Sequence, residues 1–341
     1  PLRFYVEVVP PTIQRDVQTG VCTFEGMWTA EELTNVEWTR VKVADLTQID
    51  LPEQEWKMNG QPSLVYVRNG QAERLPVTTE NVVEMPLNFG GGACVGKALT
   101  PIRWDDNDTV SIKYPFDVEQ ENGISYERMV LDDGGFYSVY LPFRTDEIQV
   151  VDAVSGAEWE VLAFDEWTAD GVKMKKQSLG TTQTAYKPML LRGKGSGNEV
   201  TLRFVGAEQT IAVSLCKGTA SMDGQTIWGG TLNGMNIEDG QVCYAPSNHG
   251  NRLVRVATGS WLRPFRGCVW RENNAECPQY IPLFKDAVTY INKVEIERDG
   301  VEPLRYTLDG KPVQPYGADE KTGTRIRRGL YVTKGRCVWI P

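Results

Sequence analysis

Short runs rich in β-branched and aromatic residues, each closed by Gly, Asp or Asn, recur along this chain and leave room for little but strands. "PSLVYVRNG", "GFYSVYLPF", "EIQVVDAV", "EVTLRFVG" and "RLVRVA" are of this kind, and several alternate apolar with polar residues. Branched and aromatic side chains pack well on a pleated, half-buried surface, and alternation places every second one on the core face. Between the runs stand "NGQ", "DDND", "DDGG", "GKGSG", "MDG" and "EDG". Glycine and short acidic or amide residues tolerate the dihedrals that tight turns demand. The 33 Gly and 19 Pro are spread as punctuation, without low-complexity tracts. Such a pattern predicts an all-β protein with few short helices. Its expected architecture is tandem antiparallel β-sandwich domains followed by a small C-terminal β-hairpin segment.

One helix is expected, over Thr29–Val41, where Thr29 serves as N-cap and Glu32 three residues on completes a capping box. The anticipated division is an N-terminal β-rich domain over 1–100, a jelly-roll-like β-sandwich over 101–283, and a connector with terminal hairpin over 284–341. "FKDAVTYINK" (Phe284–Lys293) reads as that connector, and no tandem repeat is evident.

With 341 residues there is ample material for buried cores. The net charge of −9 argues against a nucleic-acid or anionic-membrane partner, since phosphate contacts need clustered cations. The longest basic cluster, Arg325, Arg327 and Arg328, reads as a solubilised hairpin edge. No run approaches the roughly 20 apolar residues of a membrane-spanning helix. "PLRFYVEVVPP" lacks the basic start and long apolar core of a signal peptide, which leaves a cytosolic protein or a mature or trimmed chain, and an opening on Pro without Met favours the second. Seven cysteines, none in a CxxC pair, make zinc improbable beside a single His. Cys268 and Cys277 bracket a loop, and either close a hairpin disulfide or remain thiols.

Catalysis finds little to build on. A Ser-His-Asp or Cys-His arrangement would need His249, which sits among Pro, Asn and Gly in "APSNHGNR" and reads as a turn residue. "GKGSGNE" (Gly193–Glu199) has no helix after it, so a hairpin loop is the simpler account than a phosphate cradle. Glycoside hydrolysis requires only two carboxylates, and Asp165, Glu166 and Trp167 in "FDEWTADG" are one such trio, though a strand-end turn with a packed Trp explains them better. Asp105, Asp106 and Asp108 in "RWDDNDTV" offer oxygen ligands but lack the Gly and distal Glu of a calcium loop, which leaves a plain turn. Accordingly no catalytic, cofactor-binding or metal residue is assigned and no cofactor is expected. Trp28, Trp38, Trp104, Trp159, Trp228, Trp261 and Trp270 read as core packing. A row of them on an open face would instead suggest stacking on sugar rings.

Several stretches together carry a resemblance. "LRYTLDGKPVQP" and "RRGLYVTKGRCVWIP" resemble the terminal segment of secreted and surface proteins of Bacteroidetes. That match places strands at Tyr306–Leu308, Leu330–Val332 and Cys337–Ile340, with turns at Asp309-Gly310 and Lys334-Gly335. "GMWTAEELTNVEWTRVKVADLTQIDL" with "NGQPSLVYV" is similar to a segment that follows the repeats of leucine-rich-repeat-like surface proteins of that group. "VSIKYPFDVEQENGISYERMVLDDGGFYSVYLPF", "TAYKPMLLR" and "GSWLRPFRGCVW" resemble their next β-sandwich module, here with Lys187-Pro188-Met189-Leu190 in the middle strand and Gly267-Cys268 where an aromatic is usual. The resemblance spans roughly residues 25–341 and marks strands, with no functional residue to carry over. It implies an extracellular or outer-membrane surface protein, non-enzymatic, structural or binding, with a glycan or a surface protein as candidate partner. Carbohydrate binding through exposed Trp or Tyr is the alternative, and glycoside hydrolysis the third reading. Asp108-Thr109-Val110 also fits the O-glycosylation acceptor pattern of these bacteria.

Overall fold

The computed structural model describes residues 9–87, 94–151, 159–168, 170–213, 219–220, 226–247, 252–272 and 277–285, and beyond them four strand segments near the C-terminus. The chain forms two compact units, Pro1–Asp286 and Ala287–Pro341. Nearly all regular structure is β, as the turn-punctuated runs predict.

The first strands are β1 (Thr12–Arg15), β2 (Val21–Glu25), β3 (Val43–Asp45), β4 (Leu64–Arg68), β5 (Val82–Met85) and β6 (Gly96–Ala98), with a helix α1 (Ala30–Thr34) between β2 and β3. Next come β7 (Ile102–Asp105), β8 (Phe116–Val118), β9 (Ile124–Leu131), β10 (Phe136–Val139), β11 (Glu147–Val150), β12 (Trp159–Thr168), β13 (Gly171–Gln177), β14 (Met189–Gly193), β15 (Glu199–Gly206) and β16 (Gln209–Ile211). The unit closes with β17 (Thr219–Ala220), β18 (Thr226–Thr231), β19 (Met235–Asn236), β20 (Gln241–Pro246), β21 (Arg252–Arg255), β22 (Trp261–Leu262), β23 (Arg266–Glu272) and β24 (Tyr280–Lys285).

β1 to β6 join β8 and β16 in one eight-stranded sheet, which therefore runs across residue 100. Within it β2, β3, β4 and β5 pair in parallel, their rungs beginning at residues 21, 43, 64 and 82. Parallel strands are covered on both faces and so carry continuous apolar runs. β4 obeys this, with Leu64, Val65, Tyr66 and Val67 all fully buried. Val65, Val67 and Ala44 pack on one side against Leu33, Trp38, Ile49 and Trp56 of the connectors. Val43, Leu64, Tyr66 and Val83 pack on the other side into the main core.

The helix begins where the capping box places it. The Thr29 hydroxyl oxygen accepts from the Glu32 amide at 3.2 Å, and the Glu32 carboxylate accepts from the Thr29 amide at 2.8 Å. It ends at Thr34 rather than running to Val41. Asn35 caps it, and a separate 3₁₀ turn (Trp38–Arg40) lets Trp38 bury its ring against Phe24, stacked at 5.3 Å.

β7, β9, β15 and β11 form a mixed four-stranded sheet, β7 parallel to β9 and the other pairs antiparallel, and β9 alternates as a strand with one wet face should. Ile124, Tyr126, Arg128 and Val130 of β9 point inward, while Ser125, Glu127, Met129 and Leu131 face out. Tyr126 and Phe204 are directly opposite, as are Glu127 and Arg203, which form an ion pair at 2.6 Å. A ten-stranded sheet in the order β10-β14-β12-β13-β24-β21-β20-β23-β18-β17 curls into a nearly closed barrel. Leu162, Leu190, Met174, Leu253, Tyr244, Val269 and Trp228, drawn from seven of its strands, meet in one interior cluster. The Trp228 indole N–H donates to the Pro188 carbonyl at 3.0 Å, tying the two ends of the curl together.

In the terminal unit, β25 (Arg305–Tyr306), β26 (Pro312–Val313), β27 (Gly329–Thr333) and β28 (Arg336–Ile340) form an antiparallel sheet in the order β26-β25-β27-β28. These strands overlap the three that the terminal resemblance implies. No helix among the described residues is long and apolar enough to cross a membrane.

Candidate functional site

The parallel register aligns Thr23, Asp45 and Tyr66 in one row across β2, β3 and β4. Asp45 thus occupies a position where its sheet neighbours are buried, and it is itself fully buried. A lone carboxylate there would be costly, so every lone pair must find a donor. Oδ1 accepts from the Thr47 amide at 3.0 Å and its hydroxyl at 2.5 Å. Oδ2 accepts from the Lys113 ammonium at 2.5 Å and the Tyr114 hydroxyl at 3.1 Å. Lys113 donates a second hydrogen bond to Thr23 Oγ1 at 2.9 Å. Burial works against the Lys113 cation, but its hydrogen bond and charge pairing with Asp45 outweigh that and hold it above the ordinary lysine range.

Lys113 also forms part of the wall of a cavity of about 520 Å³, between the β1–β2 hairpin and the segment leading into β8. Gln14, Arg15, Asp16, Thr19, Thr23 and Ser111 supply the rest of its polar surface. The hairpin turn on its rim is fastened at several points. Asp16 Oδ1 accepts from the amides of Gln18 and Thr19 at 2.8 and 3.0 Å, which holds its carboxyl below the usual range. Ser111 donates to the Thr19 carbonyl at 2.6 Å, and Asn233 Nδ2 donates to the Gln18 carbonyl at 3.0 Å. Gly234, the next residue, lies under the six-membered ring of Trp261, and at its φ of +71° an added Cβ would meet that ring at 2.3 Å. Trp261 alone among the described tryptophans is exposed, at 54%. Its indole therefore stands beside the turn that rims the cavity.

The residues singled out from sequence fall elsewhere. Asp105, Asp106 and Asp108 share no ligand geometry. Asp105 accepts from the Asn107 amide, Asp108 from the Ser63 hydroxyl and the Asp105 amide, and Asp106 is gripped by Arg266. Burial, the largest influence, pushes the Asp108 carboxyl up. Thr109, of the glycosylation-like tripeptide, is half-buried, its amide donating to Ser63 Oγ at 3.3 Å. Among the described residues no group of three or more His, Cys, Asp or Glu side chains gathers as a metal site would require.

Asp165 and Glu166 lie at a bulge in β12 and both pair with Lys173, at 2.8 and 3.3 Å, while Trp167 packs on Phe164. "GKGSGNE" does cradle an anion, but the anion is the chain's own. The amides of Gly195 and Ser196 donate to the buried Asp132 carboxylate at 2.7 and 3.0 Å, and that of Gly197 to the Asp132 carbonyl at 2.7 Å. Cys268 and Cys277 remain thiols, packed in separate clusters with Cys243 and with the barrel interior, so the hairpin disulfide does not form. His249 and the arginines at 325, 327 and 328 lie outside the described residues. Of the tryptophans, Trp38, Trp56, Trp104, Trp159 and Trp228 are core residues, and Trp28, Trp167 and Trp270 are half-buried.

Comparison of the chain with protein-family models, with curated proteins and with solved structures finds no match.

Proposed function

We propose that this is an exported, cell-surface β protein that acts by binding rather than by catalysis. One observation carries the reading: among the described residues, the buried or clustered carboxylates of the core and of the motifs above are engaged in structural pairing. Asp45 is held by Lys113 and Tyr114, Asp106 by Arg266, Asp132 by its glycine loop, and Asp165 with Glu166 by Lys173. A general acid or nucleophile needs a proton or lone pair directed at a cleft, and these carboxylates direct theirs at structural partners. What remains available is a rigid scaffold presenting turns and a polar cavity, the usual arrangement of a binding module.

A second reading, carbohydrate binding, is favoured by Trp261. An indole held half-out of the surface over a glycine offers a flat apolar face at low conformational cost, and sugar rings stack on such faces. Printing the fluorescently labelled protein against a broad glycan array tests this reading. Retention on a defined glycan structure supports it, and a blank array assigns the binding role to a protein partner instead.

A further inference from the structure

We propose that the cavity beside Trp261 is a subsite for a sugar residue bearing a carboxylate, such as a uronic or sialic acid; this rests on the carbohydrate-binding reading above. Three features of the cavity converge on that chemistry. Its volume of about 520 Å³ falls within the roughly 300–1,000 Å³ range of small-molecule sites. Its polar wall is hydroxyl-rich, with Thr19, Thr23 and Ser111 able to exchange hydrogen bonds with sugar hydroxyls.

The charged groups at the cavity differ in how far they are already engaged. Both nearby carboxylates are already committed, Asp45 to Lys113 and Thr47 and Asp16 to the turn amides. Lys113 spends its donors inside the fold, on Asp45, on Thr23 and toward Tyr114. Arg15 stands exposed on β1 without an acidic partner among the described residues. A planar guanidinium matches a carboxylate with two parallel hydrogen bonds. An anionic group placed here meets the Arg15 guanidinium, while a neutral sugar leaves it unused.

The site is also pre-built. Ser111 and Asn233 pin the turn carbonyls, and Gly234 fixes the height of the indole, so little freedom is lost on binding. In the bound state one sugar ring stacks on Trp261 and its acidic neighbour reaches the cavity.

The test is the same glycan array, carrying uronic-acid and sialylated glycans beside their neutral and sulfated counterparts, probed with wild type, Arg15→Ala and Trp261→Ala. Both side chains are exposed, so both variants keep the wild-type melting temperature. The expected result is binding to carboxylate-bearing glycans, weakened at least tenfold by each substitution. Equal binding of neutral parents, preference for sulfated forms, or full retention by Arg15→Ala overturns this subsite and leaves glycan binding standing. Absence of binding to every glycan overturns both.

Discussion

The guanidinium of Arg266 grips the carboxylate of Asp106 with both terminal nitrogens, at 2.7 and 2.9 Å, across 160 residues of sequence. The Tyr126 hydroxyl donates to the same carboxylate, and Arg128 lies 3.7 Å from it while donating to the Ser138 carbonyl at 2.8 Å. Two buried arginines thus depend on one acid. Burial and the charge of Arg266 pull Arg128 down to about 10. This cluster ties the Asp105–Asp108 turn to β9 and β23.

Replacing Asp106 by Asn leaves both guanidiniums uncompensated in a poorly solvated place. Breaking a buried pair from one side costs about 3 kcal/mol or more. The urea midpoint of Asp106→Asn is expected to fall accordingly, with the slope of the transition unchanged. A shift below about 0.5 kcal/mol, the size of a surface substitution, contradicts the assignment.

Acid sensitivity follows from the same residue. Burial alone would raise the Asp106 carboxyl, but its hydrogen bonds and charge pairing with Arg266 hold it below the ordinary 3.8. A carboxyl lowered in the fold stabilises above its unfolded value, and that contribution is lost as pH falls through the folded value. Stability measured by urea at successive pH values is expected to drop below about pH 4. Asp106→Asn, already weakened at neutral pH, is expected to show a shallower further loss.

Lys113 gives the opposite limb. Its raised value means the Asp45–Lys113 contribution is complete below the ordinary 10.5 and disappears as pH climbs through the folded value. Alkaline unfolding of wild type is therefore expected above about pH 10.5. The double variant Asp45→Asn with Lys113→Met removes both charges together and is expected to flatten that limb. An alkaline limb equal to wild type in the double variant places the sensitivity elsewhere.

Gly193 tests the close approach behind the glycine loop. A Cβ there would lie 1.9 Å from Asp132 Oδ1, and the Gly195 amide holds that oxygen while the Ser196 amide holds its partner Oδ2. Gly193→Ala is expected to destabilise by about 1–3 kcal/mol, the range for overpacked sites. Thermal melts of Gly193→Ala and of Gly180→Ala, whose added methyl meets nothing, make the comparison direct.

Local signals in the sequence translate well into this fold. The Thr29–Glu32 capping box is legible because its partners are three residues apart, and the alternation of β9 because one face meets water. The parallel stacking of β2 to β5 was hidden. Its rungs share spacing rather than wording, and a strand buried on both faces shows no alternation. The candidate site was hidden for a related reason. Arg15, Lys113, Asn233 and Trp261 come from four separated stretches, and only the pairing of Asn233 with Gln18 links the cavity's hairpin to the glycine under Trp261. The one advance signal was that Trp261, in "GSWLRPF", follows Gly and Ser rather than sitting inside an apolar run.

The measurement that tests binding without catalysis most directly is electrophoresis of the native protein through gels containing acidic or neutral polysaccharides, with reducing ends assayed on the same polymers after overnight incubation. The account predicts retardation by a carboxylate-bearing polymer and no new reducing ends. Release of reducing sugar that disappears when Asp165 and Glu166 are replaced by amides would contradict it and make the protein a glycoside hydrolase.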